Sequence, residues 1–346
     1  MRRVKPLRHM WNLGYVVAAA VVLSAMTPQA MAEDTLKVAV ARQGAWDTAV
    51  ADLGQRAGIF KKHGLTLDLS YPRAEDTIEP AVISGSTDVR LGVGIVDVLR
   101  AYATKSAPVR IIGANMTGSA NYWYVAATSP IKTVKDLSGK TIAYSKSDAA
   151  SQYDVFDFMQ RYGVKARPVL IAGATPTFDQ VVAGKIDVGW ATPPFGVDAV
   201  EQDRIRVIAK ANDIPKIRDK TDTVMIVTAD TLQKRKDVVE RFVQAYRDTV
   251  EWMYSDAAAL KAYAEFAGMP EEVARHMRDF YTKDMLSPNS IVGLDAIAKE
   301  AEKVRQIWAP LSRKQTAELV QIPAPLRANA SAKSGGWFRA LSPRSP

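Results

Sequence analysis

The sequence predicts an α/β protein built largely on parallel sheet. Strand-like and helix-like segments alternate from Leu36 to Thr228. The strand-like segments are near-continuous apolar runs, as expected where both faces of a sheet are covered. Two polar stretches, Thr117–Asn121 and Ala211–Thr221, interrupt the alternation.

The first unit reads as strand Leu36–Ala41, helix Asp47–Ala57, strand Leu65–Tyr71, helix Thr77–Ser84, strand Val89–Val93, helix Val96–Thr104 and strand Val109–Met116. After the first break come the strands Tyr122–Ala127 and Thr141–Tyr144, the helix Ser151–Tyr162 and the strand Val169–Ile171. The helix Phe178–Ala183, the strand Val188–Ala191 and the segments Val197–Gln202 and Arg206–Ala209 complete this unit. The strand Val224–Thr228 follows the second break, and the chain beyond it is helical. Val239, Phe242, Tyr246, Val250 and Met253 share one face of a helix ending near Asp256. Pro270 opens another, with Glu271 and Glu272 favourably placed in its first turn, and Leu294–Ile307 forms the last. The tail Pro323–Pro346, rich in Pro, Ala, Ser and Gly, is predicted to be disordered. The two breaks point to a chain that leaves one lobe and later returns; a single large sheet accommodates the same pattern nearly as well.

Residues 1–32 read as a secretory signal. Arg2, Arg3, Lys5 and Arg8 precede the apolar run Leu13–Met26, and Ala30-Met31-Ala32 matches the small-x-small cleavage pattern. That run is shorter than the roughly 20 residues of a spanning helix. The chain has no cysteine, which removes disulfides, thiolate metal sites, a thiol nucleophile and a lipobox. These features predict a soluble periplasmic protein with its signal cleaved after Ala32. The net charge of +9 is concentrated at the ends. Four uncompensated basic residues lie in 1–32 and four in 323–346, and subtracting these eight leaves +1 for the body. A nearly neutral body excludes a global field for nucleic acid.

The segment Ser129–Ser151 is the most informative for function. A tight Leu137-Ser138-Gly139 turn leads to a strand at Lys140–Tyr144, and a Ser/Lys/Ser/Asp step then opens a helix near Asp148. Unpaired N–H groups at such a junction, with the helix dipole behind them, make a seat for the polar end of a small molecule. Ser147 as N-cap uses its own oxygen on the backbone. Asp148 complicates the seat: its carboxylate answers the dipole itself and repels an anion, while Lys146 either offsets that charge or pairs with it. No clustered His or carboxylate set has metal-ligand spacing, and no Ser/His/Asp set, HExxH or P-loop occurs.

Four landmarks then carry a family resemblance: Ala57-Gly58-Ile59-Phe60-Lys61-Lys62-His63-Gly64-Leu65, Ile83-Ser84-Gly85-Ser86-Thr87-Asp88-Val89, Ser129 to Lys140, and Val182-Ala183-Gly184-Lys185-Ile186-Asp187-Val188. In this order and spacing, from about Leu36 to Trp252, the chain resembles the substrate-binding proteins of ABC importers for nitrate, sulfonates, taurine and thiamine-precursor pyrimidines. The resemblance implies a two-lobed, type II periplasmic-binding-protein fold, with two parallel-type sheets, flanking helices and two crossover strands. Lobe 1 would comprise 33–118 and 219–322, and lobe 2 would comprise 119–218. It further implies a monomer that holds a small-molecule ligand in the cleft, needs no cofactor, and delivers its ligand to an inner-membrane permease driven by an ATPase. A sensor subunit would look the same in sequence. A pyrimidine-synthase-like enzyme is disfavoured, because that branch looks dependent on Cys and His.

Candidate ligand contacts sit beyond the carboxyl ends of strands. They are Arg42, Gln43 and Trp46 after the first strand, with Asp47 as a helix cap, and Gly94 and Ile95 after the third. Asn115, Ser119, Asn121 and Tyr122 follow at the first break. Ser145, Lys146, Ser147, Asp148 and Ala149 occupy the position at which the resemblance implies anion binding. Trp190 and Thr192 come last, where Pro193 replaces an acid frequent in relatives. Trp46 and Tyr122 offer flat faces to the ligand. Arg90 departs from the small residue the resemblance implies, and reads equally as a cleft cation or a solvated side chain. The expected ligand is a sulfonate, aromatic carboxylate or pyrimidine-like molecule.

Overall fold

The structure is a computed structural model and describes residues 33–72, 86–145 and 150–326. The signal segment, the expected helix Thr77–Ser84 and the tail from Arg327 lie outside these residues.

The apolar run at the start of the described chain forms β1 (Asp34–Val40), which pairs in parallel with β2 (Leu65–Ser70) and with β3 (Val89–Gly94). Helices Val50–Arg56 and Ile59–Lys62 connect β1 to β2, turning at Gly58 with φ 70°, which a residue without Cβ adopts freely. Helix Ile95–Ala103 leads from β3 to β4 (Val109–Thr117). The chain then forms β5 (Tyr122–Ala126), β6 (Thr141–Tyr144), β7 (Arg167–Leu170), β8 (Gly189–Ala191) and β9 (Ile205–Lys210). Helices Ala150–Tyr162, Ala174–Val182 and Val197–Glu201 connect them.

The last strand, β10 (Thr221–Thr228), returns to the first sheet antiparallel to both its neighbours, giving the order β2-β1-β3-β10-β4. Its first residue, Thr221, comes from the polar break, and Asp222 and Thr223 precede the expected start at Val224, so the strand is longer than its apolar part. β5 is antiparallel to β8 and β9, in the order β8-β5-β9, while β6 and β7 form a parallel pair. The Ile142–Val188 bridge ties that pair to β8, with Ala143 N donating to Val188 O at 2.9 Å. The α/β class holds, but the sheets are mixed. Antiparallel pairs arise at β5 and β10, the strands on either side of the excursion from the first sheet.

The two polar breaks lie side by side. Gly118 N donates to Lys220 O at 2.7 Å, Ser119 N to Asn212 Oδ1 at 2.8 Å, and Ala211 N to Asn121 O at 2.9 Å. A Cβ on Gly118 would meet the Asn212 side chain at 2.6 Å.

Apolar packing covers both faces of the first sheet. One face carries Leu36, Val38, Phe60, Phe242, Tyr246 and their neighbours, and the other Val98, Leu99, Ile111, Ile226 and Ile297. The long helix Lys236–Ser255 buries the expected face Val239, Phe242, Tyr246, Val250 and Met253. Two further helices escape the apolar pattern because capping side chains restart them. Asp256 accepts from Ala258 N to open Ala257–Ala267, and a Ser312/Gln315 capping box opens Arg313–Leu319. Among the described residues no helix is long and apolar enough to cross a membrane.

Gly54 marks the tightest helix contact on the first face. A Cβ there would collide with Thr249 of the long helix and lie 2.7 Å from the Phe60 ring. Gly54→Ala is therefore expected to lower unfolding free energy by about 1–3 kcal/mol in urea denaturation, despite the better helix propensity of alanine.

Candidate functional site

The loop after β1 doubles back at Arg42, whose φ of 53° lies in the left-handed region, and Thr48 Oγ1 donates to the Arg42 carbonyl at 2.6 Å. The Arg42 guanidinium donates to Asp47 Oδ2 at 2.7 Å; its side chain is 46% exposed, that of Asp47 fully buried. Asp47 is thus engaged by Arg42 rather than serving as a helix cap. The helix begins only at Val50, with no side-chain cap, which corrects the expected start at Asp47. The charge of Asp47 raises the Arg42 pKa above its ordinary value.

Behind this pair stands an aromatic wall. Trp46 is fully buried, meets Tyr254 and Tyr263 edge-on at 5.9 and 4.8 Å, and donates Nε1–H to Tyr254 Oη at 3.0 Å. The flat face expected of Trp46 is therefore turned into the core. Tyr122 is likewise buried, packed between Tyr124 and Phe280, with its hydroxyl donating to Phe195 O. Ile95 is core, and Arg90 is buried at 7% exposure, which removes its solvated reading. Gln43 is exposed, and Gly94 caps the helix Ile95–Ala103.

A polar cluster remains at the carboxyl ends of β1 and β4 and the beginning of β10. Asn115 is fully buried and donates weakly to Asp47 O at 3.5 Å. Asp222 feels both Arg42 and Asp47. Desolvation, the largest influence, and the Asp47 charge raise its pKa to about 6 against the lowering effect of Arg42. On the other side of the crossings, Asn121 Nδ2 donates to Asp154 Oδ2 at 3.1 Å, and Thr192 Oγ1 donates to Asn121 Oδ1 at 2.6 Å. Ser119 Oγ accepts from Asn121 N at 3.2 Å. Burial pushes the Asp154 carboxyl up to about 8, opposed by the Asn121 hydrogen bond and reinforced by the charges of Asp222 and Asp157. Ser145 and Ser151 join through their hydroxyls at 2.8 Å. Trp190 is half-buried, its Nε1–H donating to Ile171 O at 3.3 Å. Lys146, Ser147, Asp148 and Ala149 lie outside the described residues.

The structure thus gathers Arg42, Asn115, Ser119, Asn121 and Thr192 into polar contacts near the crossings, and adds Asp47, Asp154 and Asp222. Asp154 had a legible signal: it shares a helical face with Ser151, Val155 and Phe158, all buried. Asp222 stands between the polar break and the apolar strand, where nothing in the sequence marks it. Among the described residues no group of three or more His, Cys, Asp or Glu could hold a metal ion. A hollow of about 240 Å³ between helices Ile95–Ala103 and Leu294–Lys303 is lined by other residues and is separate from this cluster.

The family model described as "NMT1/THI5 like" matches residues 49–259, more than half of the chain. The chain belongs to the NMT1/THI5-like family. No curated protein matches it in sequence. Among solved structures, the periplasmic aliphatic sulphonate binding protein SsuA from Escherichia coli is similar at TM-score 0.65 and 16% identity, over 90% of this chain and 98% of that one. The alkanesulfonate-binding protein SsuA from Xanthomonas axonopodis pv. citri, bound to MOPS, gives 0.61 and 17% over 83% and 98%. The desulfurization enzyme DSZB gives 0.60 and 16% over 84% and 96%. This family member has the periplasmic-binding-protein fold, and the same fold serves an enzyme.

Asp154 also supplies a pH test. Between its ordinary value of 3.8 and about 8, the folded protein keeps a proton that the unfolded chain has lost. Its contribution to stability therefore falls as pH rises through that window. Asp154→Asn removes the proton linkage. The variant should gain on the parent steadily from pH 5 to pH 8, by on the order of 3 kcal/mol at the upper end in parallel denaturation curves. A gap independent of pH would contradict the assignment.

Proposed function

We propose that this chain is the solute-binding component of an ABC importer, which captures a small organic ligand and hands it to an inner-membrane permease. The observation that carries this reading is the polar cluster around Arg42, Asn115, Asp154 and Asp222, set where strand ends and crossings meet in a fold shared with SsuA. Open α/β sheets bind ligands at such strand ends. The adjacent crossings are the natural hinge between a lobe of residues 33–118 and 219–322 and a lobe of residues 119–218, and hinge closure would enclose the ligand. Ser145 to Ala149 would receive the ligand's polar end from the second lobe. On this reading the protein is a periplasmic monomer, exported by residues 1–32 and cleaved after Ala32.

Binding without catalysis fits the residues better than the DSZB likeness does. The sequence offers no thiol, and His63 and His276 are each engaged by a surface carboxylate, Asp248 at 2.7 Å and Glu201. Such histidines serve the surface rather than the polar cluster.

A thermal-shift screen over sulfonates, aromatic carboxylates, pyrimidines and nitrate tests the reading. A cognate class should raise the melting temperature by several degrees at about 100 times its Kd, where binding contributes roughly 2.7 kcal/mol. Stabilisation by a peptide or a metal, with no response to any of these classes, would overturn it.

A further inference from the structure

Scattered apolar side chains on a protein surface are ordinary and need no partner. Trp308 is of another order. It is 88% exposed, where no other exposed large hydrophobic among the described residues exceeds 51%. The local chain explains why it stands in water. Helix Leu294–Lys303 ends in a turn at Arg305, whose φ of 61° lies in the left-handed region. Arg305 N donates to Glu302 O at 2.9 Å and Gln306 N to Ala301 O at 2.8 Å, which closes the turn. Ile307 is then buried, and Leu311 packs against the same core. The loop is pinned on both sides of Trp308, so the indole is held outward by its own backbone. Val304, Ala309 and Pro310 beside it are exposed as well.

The charge around this ring is of one sign. From Lys303 to Ala317 the sequence has four basic residues, Lys303, Arg305, Arg313 and Lys314, and no acid. All four are exposed. None forms an ion pair among the described residues, and the acid that ends the run, Glu318, is engaged by Arg110 at 2.7 Å. Pro310 and Leu311 also line the hollow of about 240 Å³, whose lining holds the cations Lys299 and Arg313 against one acid, Asp295. On a body whose net charge is close to zero, this is a local excess.

An indole is apolar over its rings and carries a single N–H, so it is best placed where hydrocarbon meets water. Basic side chains around it are drawn to a surface of negative charge. An acidic protein would use the cations and leave the projecting ring without a role, and an apolar protein partner would bury unpaired charge. An anionic lipid surface uses both.

We propose that residues 303–314 form a docking face for an anionic lipid bilayer, with Trp308 entering the headgroup region and Lys303, Arg305, Arg313 and Lys314 meeting lipid phosphates. One ring and a few charges make a peripheral, reversible contact. The proposal goes beyond the solute-receptor reading. For a receptor that serves an inner-membrane permease, such a contact would turn a search through volume into one along a surface. It does not depend on any ligand, so vesicle binding and ligand-induced thermal shifts succeed or fail separately.

Flotation of the chain from Glu33 to Pro346 with vesicles tests it, comparing phosphatidylcholine alone with phosphatidylcholine mixed with phosphatidylglycerol. At low salt the anionic vesicles should bind at least about tenfold more tightly than the neutral ones, and molar salt should remove the difference. Trp308→Ala should weaken binding to anionic vesicles by roughly threefold to tenfold. The triple variant Lys303→Gln, Arg313→Gln, Lys314→Gln should weaken it by about tenfold or more and flatten the salt dependence. Both variants should keep the parent's melting temperature, because the altered side chains are exposed. The basic residues beyond Leu326 are untouched in both, so binding that survives both substitutions belongs to another surface and overturns the proposal. Equal binding to the two kinds of vesicle, or binding to neither, overturns it as well. So does retention on immobilised polyglutamate that matches anionic vesicles and is indifferent to Trp308→Ala, since that marks a surface reading charge alone.

Discussion

The antiparallel return of β10 between β3 and β4 is the constraint to which the other elements are fitted. A strand in that position is hydrogen-bonded on both sides, so the first sheet is complete only after residues 119–218 have been made and folded back. Contacts so distant in sequence carry a loop-closure penalty that local helices avoid. The same return forces the two crossings into contact, with Gly118 bonded to Lys220 and Ser119 to Asn212. It also places Asp222, at the head of the strand, beside the loop that follows β1.

That loop shows how a buried charge is held at a site. Asp47 follows Trp46 in the chain and lies near Tyr254 and Tyr263, and its partner Arg42 adopts a left-handed backbone that residues with a Cβ rarely use. An ion pair with one partner buried and the other half exposed contributes little net stability, because desolvation of the carboxylate and solvent screening of the guanidinium offset the attraction. Its effect is positional. It fixes one carboxylate oxygen of a residue that also adjoins the Tyr281 hydroxyl.

Periodicity made the elements legible and left their neighbours hidden. The apolar runs of β1, β3 and β4 and the buried stripe of Lys236–Ser255 could be read directly, because burial on one face or both imprints a pattern. Strand direction imprints none: β5 and β10 read like their parallel neighbours, and only the pairing shows them antiparallel. The helices Ala257–Ala267 and Arg313–Leu319 depend on caps at Asp256 and Ser312 that interrupt an already helical stretch. At the site, position near a strand end singled out Arg42, Asn115 and Thr192, which all take part in polar contacts within the protein. It misled for Trp46, Tyr122 and Ile95. A large apolar residue in a loop is as able to plug the core behind a site as to face it, and the sequence carries no mark of which way it turns. Asp222 went unnoticed because an acid is ordinarily a solvated residue, and Asp154 was passed over for the same reason although its place on a buried helical face was legible.

The two raised carboxyls have a calorimetric consequence. With pKa values near 8 and 6 and charges that oppose each other, Asp154 and Asp222 between them hold a labile proton around neutral pH. Any charged occupant shifts that occupancy: a cation expels the proton, whereas an anion draws one in. The heat of binding measured in phosphate and in Tris would then differ by an amount whose sign reports the charge of whatever has entered. On the proposed receptor role, binding would therefore exchange protons as well as heat.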